Sequence, residues 1–173
     1  MIITIRQLSR LSAEMLASRA VFDCGQPALN QYLVQTALQH EKRNVTRTFC
    51  LLQGDGIAGF YSLTNAIVNV GELTADLIRH YRLPTHVLPV VRLARLGIDV
   101  RHQRQGLGRL LLVDALRKVI AVAESSGCVG LLVDAQDENA RLFYTAFGFR
   151  AAPENPLLLF MPLPDIQELF REV

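Results

Sequence analysis

The sequence predicts a mixed α/β fold, and three observations carry the prediction. Two apolar runs in the first half flank GDG at 54–56, a strong hairpin signal. The second half alternates strand, helix, strand, helix, strand. A chain of 173 residues, half of them hydrophobic, can bury a substantial core without disulfides or metals. With no internal repeat and no linker-like stretch, residues 1–173 are expected to form a single domain.

Each element has its local cause. IITIR at 2–6 alternates as a short strand does. Residues 11–22 read as a helix. So do residues 27–42, where Pro27 suits a first turn and Leu29, Leu33, Ala37 and Leu38 form an apolar stripe. Residues 46–53 and 57–65 are the hairpin strands, and TADLIRHY at 74–81 is a short helix. VLPVVRLARLGIDV at 87–100 is a β-rich run that ends at a glycine loop. A helical pattern from 105 to 124 stops at SSG, and CVGLLVDA at 128–135 returns as a strand. Residues 137–147 form a helix with acids in its first turn and Gly148 past its end; LLLFMPL at 157–163 is the last strand.

Composition narrows the function classes. No apolar stretch reaches a membrane span, and the first residues lack the apolar core of a signal peptide, so a cytoplasmic protein without membrane association is expected. The three cysteines, Cys24, Cys50 and Cys128, are odd in number and lack CxxC spacing. His80 and His86 pair with no nearby Cys or Asp, so no metal is expected. Charge is uneven. Residues 91–120 hold seven arginines and lysines against two acids, a local +5 in a chain of net +2, which favours a polyanionic ligand near the glycine loop.

That loop, QRQGLG at 103–108, lies between a strand and a helix, where open N–H groups and the helix dipole favour an anion. Gly106 and Gly108 are expected to allow positive φ and close backbone approach. It is neither a Walker loop, lacking Gly-Lys-Ser/Thr, nor a dinucleotide fingerprint, lacking the third glycine. The residues alone leave two readings open, a phosphate cradle and a plain helix start.

LGIDVRHQRQGLGRLLL resembles the core motif of the GNAT acyl-CoA-dependent N-acetyltransferases, Gln/Arg-x-x-Gly-x-Gly/Ala, through Gln103, Gly106 and Gly108. DENARLFYTAFGF resembles that family's second signature through Asn139, Phe143, Tyr144, Gly148 and Phe149. The resemblance implies a mixed, mostly antiparallel central sheet flanked by helices and splayed at the acetyl-CoA-binding strand. It also implies acetyl-CoA as donor. The amides of Arg104, Gln105, Gly106, Leu107, Gly108 and Arg109 would hold the pyrophosphate, Ile98 to Val100 would pair with the pantetheine arm as a strand does, and Asn139 and Phe143 would line the cofactor.

A narrower resemblance covers nearly the whole chain. FDCGQPALNQYL (22–33), TRTFCLLQGDGIAGFYSLT (46–64), residues 89–116 and residues 143–163 are similar to the GNAT toxins of bacterial toxin–antitoxin modules. The N-terminal segment discriminates most, because general acetyltransferases lack it. Membership would imply acetylation of the α-amino group of aminoacyl-tRNA, arrest of translation and neutralisation by a ribbon-helix-helix antitoxin. It would further imply a homodimer, and operator DNA bound only through the antitoxin complex. Arg95 would stand near the acceptor RNA, with Arg92, where an apolar residue is expected, as a second candidate.

Acetyl transfer needs a neutral amine, a polarised thioester carbonyl and a proton for the departing thiolate. Tyr144 is the candidate donor: a phenol of pKa about 10 can supply a thiolate of about 8.5. Packing in the core beside Phe143 and Phe147 is the alternative, but Tyr144 sits roughly 100° away from those two around the helix. No Glu or His stands out as a base. An α-amine of pKa about 7.7–8.0 needs one less than a lysine of about 10.4 does. Arg95 shares a strand face with Gly97 and Asp99, Arg92 faces the other way, and an arginine in a buried strand calls for an anionic partner. Two further functions stay open on these residues: a GNAT enzyme acting on a small amine or protein N-terminus, and a non-catalytic RNA- or CoA-binding module. Residues 91–120 lack the interleaved aromatics of the latter.

Overall fold

A computed structural model describes residues 2–84 and 86–171. The expected elements form, except that residues 11–22 hold a five-residue helix and a 3-10 turn, Ser18–Val21, in place of one continuous helix. Strand β1 is Ile3–Gln7, followed by helix α1, Ala13–Ala17, which Ser12 caps by accepting from the Met15 N–H. The long N-terminal helix is broken in an informative way. It runs as α2, Pro27–Gln31, then a π turn over Tyr32–Thr36, then α3, Ala37–Lys42. The hairpin is β2, Arg47–Gln53, and β3, Gly56–Asn69, joined by a two-residue turn whose first residue, Gly54, takes φ +64°.

The remaining elements are α4 (Ala75–His80), β4 (Val87–Ile98), α5 (Leu107–Ser125), β5 (Gly130–Asp134), α6 (Glu138–Phe147), β6 (Arg150–Ala152), β7 (Asn155–Pro162) and α7 (Leu163–Leu169). Strand β6 and helix α7 are additions to the sequence expectation. β6 is three residues long and has no alternation to read. The strands hydrogen-bond in the order β1-β2-β3-β4-β5-β7-β6. Pairs β1–β2, β2–β3, β5–β7 and β6–β7 are antiparallel and β4–β5 is parallel, so the sheet is mixed and mostly antiparallel as expected. Parallel pairing covers only Val91–Leu93 against Leu131–Val133, and β4 runs on to Ile98 beyond it.

The chain divides into two compact units, neither continuous in sequence. The first holds residues up to Thr64 together with Ala94–Ala115; the second holds Asn65–Leu93 and the residues from Leu116 onward. In the first, Phe22, Cys24, Leu29, Tyr32 and Leu33 pack with Leu8, Cys50 and Phe60. Glu41, buried on α3, ties that core together by accepting from the Ser9 and Thr48 N–H groups and the Gln7 side chain. In the second, Val68, Leu77, Leu88 and Val90 pack with Leu132, Leu158 and Phe160.

Candidate active site

β4 carries its side chains alternately to two faces, and that alternation sorts the first unit's candidates. A Cβ on Gly97 would meet Cys24 and Leu29, and Asp99 accepts from the Asp23 N–H, so this face meets the 22–32 segment. Arg95 lies on the same face, over the ring of Tyr32. Ile98 points the other way, where a Cβ on Gly59 would come within 2.6 Å of its Cδ1 and 3.1 Å of Leu111. Gly59 is thus a close-approach glycine that lets β3, β4 and α5 pack.

Asp99 is the keystone of the strand's end, and its role was not read from the sequence. Fully buried, it accepts four hydrogen bonds: from the Arg101 N–H, Nε and Nη2, each at 2.9 Å, and from the Asp23 N–H at 3.1 Å. Burial pushes its carboxyl up, but these donors and the Arg101 charge prevail and hold it at about 2. The FDCG turn is laced to the same point. Gln103 Nε2 donates to the carbonyls of Ile98 (2.9 Å) and Cys24 (3.3 Å), and the Val100 N–H donates to the Asp23 carbonyl at 2.7 Å. Asp23 itself is fixed by the Gly25 N–H and Asn30 Nδ2. The signal was present in D-x-G and LN of FDCGQPALN, two side-chain turn formers flanking a glycine at φ +84°.

Within the protein the Val100 N–H and the Ile98 carbonyl already have these partners, so the end of β4 is held in its extended form by side-chain and turn contacts. Gln103 acts as a brace between the strand end and the turn, while Arg104, Gln105 and Gly106 stand exposed beyond it. Gly106 takes φ +78° with open space where a Cβ would be. Gly108 does not share that role: it lies inside α5, and the second positive φ, +63°, belongs to Arg104. Leu107 is buried and anchors the helix start, and the Leu110 N–H closes the first turn on the Gly106 carbonyl. The outcome is an exposed loop leading into a 19-residue helix, whose first-turn N–H groups have no partner within the helix.

The arginines of the basic stretch separate by partner. Arg101 is spent on Asp99. Arg92, in the second unit, pairs with Asp134 of the neighbouring strand, Nε to Oδ2 at 2.5 Å. Arg95 stacks instead of pairing, its Cζ 3.6 Å from the Tyr32 ring centroid. Arg104 and Arg109 are exposed at the loop and the start of α5.

In the second unit, α6 begins at Asp137, whose side chain accepts from the Ala140 N–H, and ends at Gly148 with φ +120°. Asn139 is exposed in the first turn, and Phe143 is partly buried. Tyr144 is the buried residue of this helix, 5% exposed, edge-on to Phe143 (5.1 Å) and Phe149 (5.5 Å). Its position around the helix, about 100° from Phe143 and about 60° from Phe147, thus carries Tyr144 into the core. Burial pushes its phenol well above the ordinary tyrosine value. Among the described residues no hydrogen bond holds its hydroxyl, so the proton is uncommitted. Cys24, Cys50 and Cys128 are free and buried; burial raises the Cys24 thiol and pushes Cys50 up to about 12, which suits neither for nucleophilic work. Among the described residues no group of three His, Cys, Asp or Glu could hold a metal ion, and no helix is long and apolar enough to cross a membrane.

Comparison with known proteins agrees with this geometry. The family described as an acetyltransferase (GNAT) domain matches residues 23–157. A tRNA-acetylating toxin of Mycobacterium tuberculosis (strain ATCC 25618 / H37Rv) is 33% identical over 148 residues, 86% of this chain and 87% of the relative. The structure of AtaT complexed with acetyl-methionyl-tRNAfMet superposes with a TM-score of 0.87 at 29% identity, covering 98% of this chain and 99% of that one. A tyrosine-to-phenylalanine mutant of AtaT, bound to the C-terminus of the antitoxin AtaR and acetyl-CoA, gives 0.80 at 30% identity, covering 98% and 99%. The family match over residues 23–157 and the 33% identity across 86% of the chain lead to one conclusion: this chain belongs to the GNAT acetyltransferases.

Proposed function

We propose that the protein is an acetyl-CoA-dependent toxin that acetylates the α-amino group of aminoacyl-tRNA in the cytoplasm and so blocks translation. The observation that carries this reading is the 33% identity to a tRNA-acetylating toxin across 86% of the chain. A toxin of this kind needs restraint, and the AtaT structure with its antitoxin's C-terminus supports a cognate antitoxin here, of ribbon-helix-helix type in our reading. The active species is a homodimer in the same reading, and operator DNA is engaged only through the toxin–antitoxin complex.

Acetyl-CoA supplies an activated acetyl thioester. The chain's own residues do the rest. The 104–109 backbone, exposed at Arg104, Gln105 and Gly106 and continuing into the first turn of α5, receives the pyrophosphate. Asn139 and Phe143 border the cofactor from α6. In the transfer a C–N bond forms as the C–S bond breaks; the amine's proton passes to solvent and the sulfur takes one from Tyr144, which solvent then restores. A phenol raised by burial is fully protonated throughout the physiological range, and the same dry surroundings raise the sulfur's proton affinity, so donation remains feasible. No side chain is needed as a strong base, because an α-amine of pKa about 7.7–8.0 is substantially neutral near pH 7.5. Arg95, whose charge no described carboxylate answers, is the first acceptor-side cation, and Arg92, which must share its charge with Asp134, is the second candidate.

The test incubates the enzyme and labelled acetyl-CoA with charged tRNA, uncharged tRNA and free amino acids. Label is expected on charged tRNA alone, released by mild base as an N-acetyl amino acid, with rates falling steeply as salt rises. Labelling of free amino acids or polyamines with charged tRNA untouched would instead identify a small-amine acetyltransferase.

A further inference from the structure

Arg95 differs from its neighbours in how the protein holds it. Arg92 and Arg101 are locked edge-on to carboxylates. Arg95 rests its flat face on Tyr32, 3.6 Å from the ring centroid, and among the described residues nothing accepts from its N–H groups. A guanidinium donates in its own plane, so stacking secures the cation while leaving the whole donor fork unspent.

Tyr32 is itself fixed from several sides. It is 6% exposed, and its hydroxyl lies 3.3 Å from His40 Nδ1 and 3.2 Å from Thr46 Oγ1. His40 also packs edge-on against its ring at 5.6 Å. Its backbone opens the π turn, where the Ala37 N–H reaches back five residues to the Tyr32 carbonyl. One inserted residue rotates α2 against α3 by about 100°. Leu29 and Tyr32 can then face β4 while Glu41 faces β2. A local departure from the cheaper α-helical register is thus spent on presenting this ring.

We infer that Tyr32 is a positioning residue that seats Arg95 with its donor fork turned to a backbone phosphate of the RNA acceptor, an inference resting on the aminoacyl-tRNA reading above. A fork with two parallel donors matches a phosphate bidentately. Tyr32 acts through Arg95 and touches no reacting atom.

The experiment measures KM and kcat for charged tRNA at several salt concentrations, acetyl-CoA affinity and thermal stability. It uses the parent, Arg95→Ala, Tyr32→Phe, Tyr32→Leu and the double variant Arg95→Ala/Tyr32→Leu. A series with phenylalanine of increasing fluorination at position 32 is added, since fluorines drain the ring's negative face and nearly preserve its shape. Tyr32→Phe should leave KM within about twofold, and Tyr32→Leu should raise it about three- to thirtyfold with acetyl-CoA affinity unchanged. The salt slope should drop by about one unit, as for Arg95→Ala, and the double variant should be no worse than Arg95→Ala. KM should climb with each fluorine relative to Tyr32→Phe. If the leucine variant fails to fold, the fluorinated series decides. A flat series, an unchanged salt slope or additive variants would overturn the inference while parent labelling of charged tRNA keeps the function intact. Failure of the parent to label charged tRNA would remove the function and this inference together.

Discussion

Replacing Asp99 with asparagine tests whether the strand end is held by charge. Asparagine keeps the shape and one acceptor but cannot ionise. A carboxylate held at about 2, against an ordinary value of about 3.9, contributes about 2.6 kcal/mol at neutral pH. Arg101 is 59% exposed and regains water when its partner is neutralised, so the expected cost is about 1.5–2.5 kcal/mol. The sign follows from the lowered value: the contribution is complete above about pH 4–5 and disappears as pH falls through about 2. The gap between parent and Asp99→Asn should therefore narrow by about 1 kcal/mol between pH 7 and pH 3. Urea denaturation followed by circular dichroism measures it; with no tryptophan in the chain, tyrosine fluorescence is the second probe. Acetyl-CoA affinity should also fall several-fold, because the same carboxylate braces the FDCG turn beneath the loop. A gap that stays constant from pH 7 to 3, or a variant as stable as the parent, would refute the charge-based brace.

Tyr144→Phe keeps the buried ring and should lower kcat about 10²–10⁴-fold at unchanged acetyl-CoA affinity; turnover within a few-fold of the parent would eliminate Tyr144 as proton donor. Because burial raises that phenol, no alkaline loss of rate below pH 10 should trace to it, which the pH profiles of parent and variant will show. Gly106→Val meets no neighbour and costs only about 1–2 kcal/mol of backbone strain, so the fold should survive while calorimetry finds acetyl-CoA binding lost; unchanged affinity would place the cradle elsewhere. Gly59→Ala must displace Ile98 and crowd the Gly97 carbonyl, and should lower stability by about 1–3 kcal/mol in the same urea titration.

What the sequence disclosed and what it withheld divide along one line. Patterns with a local cause were readable: the GDG hairpin, Pro27 opening a helix, Asp137 and Gly148 bounding α6. Features fixed by distant partners were not. That Arg104, and not Gly108, takes positive φ is decided by where the strand end and the helix must meet. That the Val100 N–H donates to the carbonyl of Asp23, 77 residues earlier, has no local signal in the sequence. Alternation placed Arg95 and Asp99 on one face, yet could not tell that one would be sealed in by donors and the other left stacked on Tyr32. The π turn has no periodic signature at all, since residues 27–42 read equally well as one helix. Helix α7 had a usable signal in LPD, a proline and an acid in a first turn.

The interleaving of the two units sets a timetable for synthesis. The first needs Ala94–Ala115 before its β4 end, its loop and its Asp99 brace exist, so its N-terminal 64 residues emerge from the ribosome well before their partners. The second waits longer still, because β7, Asn155–Pro162, is the strand that both β5 and β6 pair with. At about 5–20 residues per second, several seconds separate the first segment's emergence from the last strand's. Both units are therefore completed only when nearly all of these residues have been translated. Any partner that captures it early meets an unfinished enzyme.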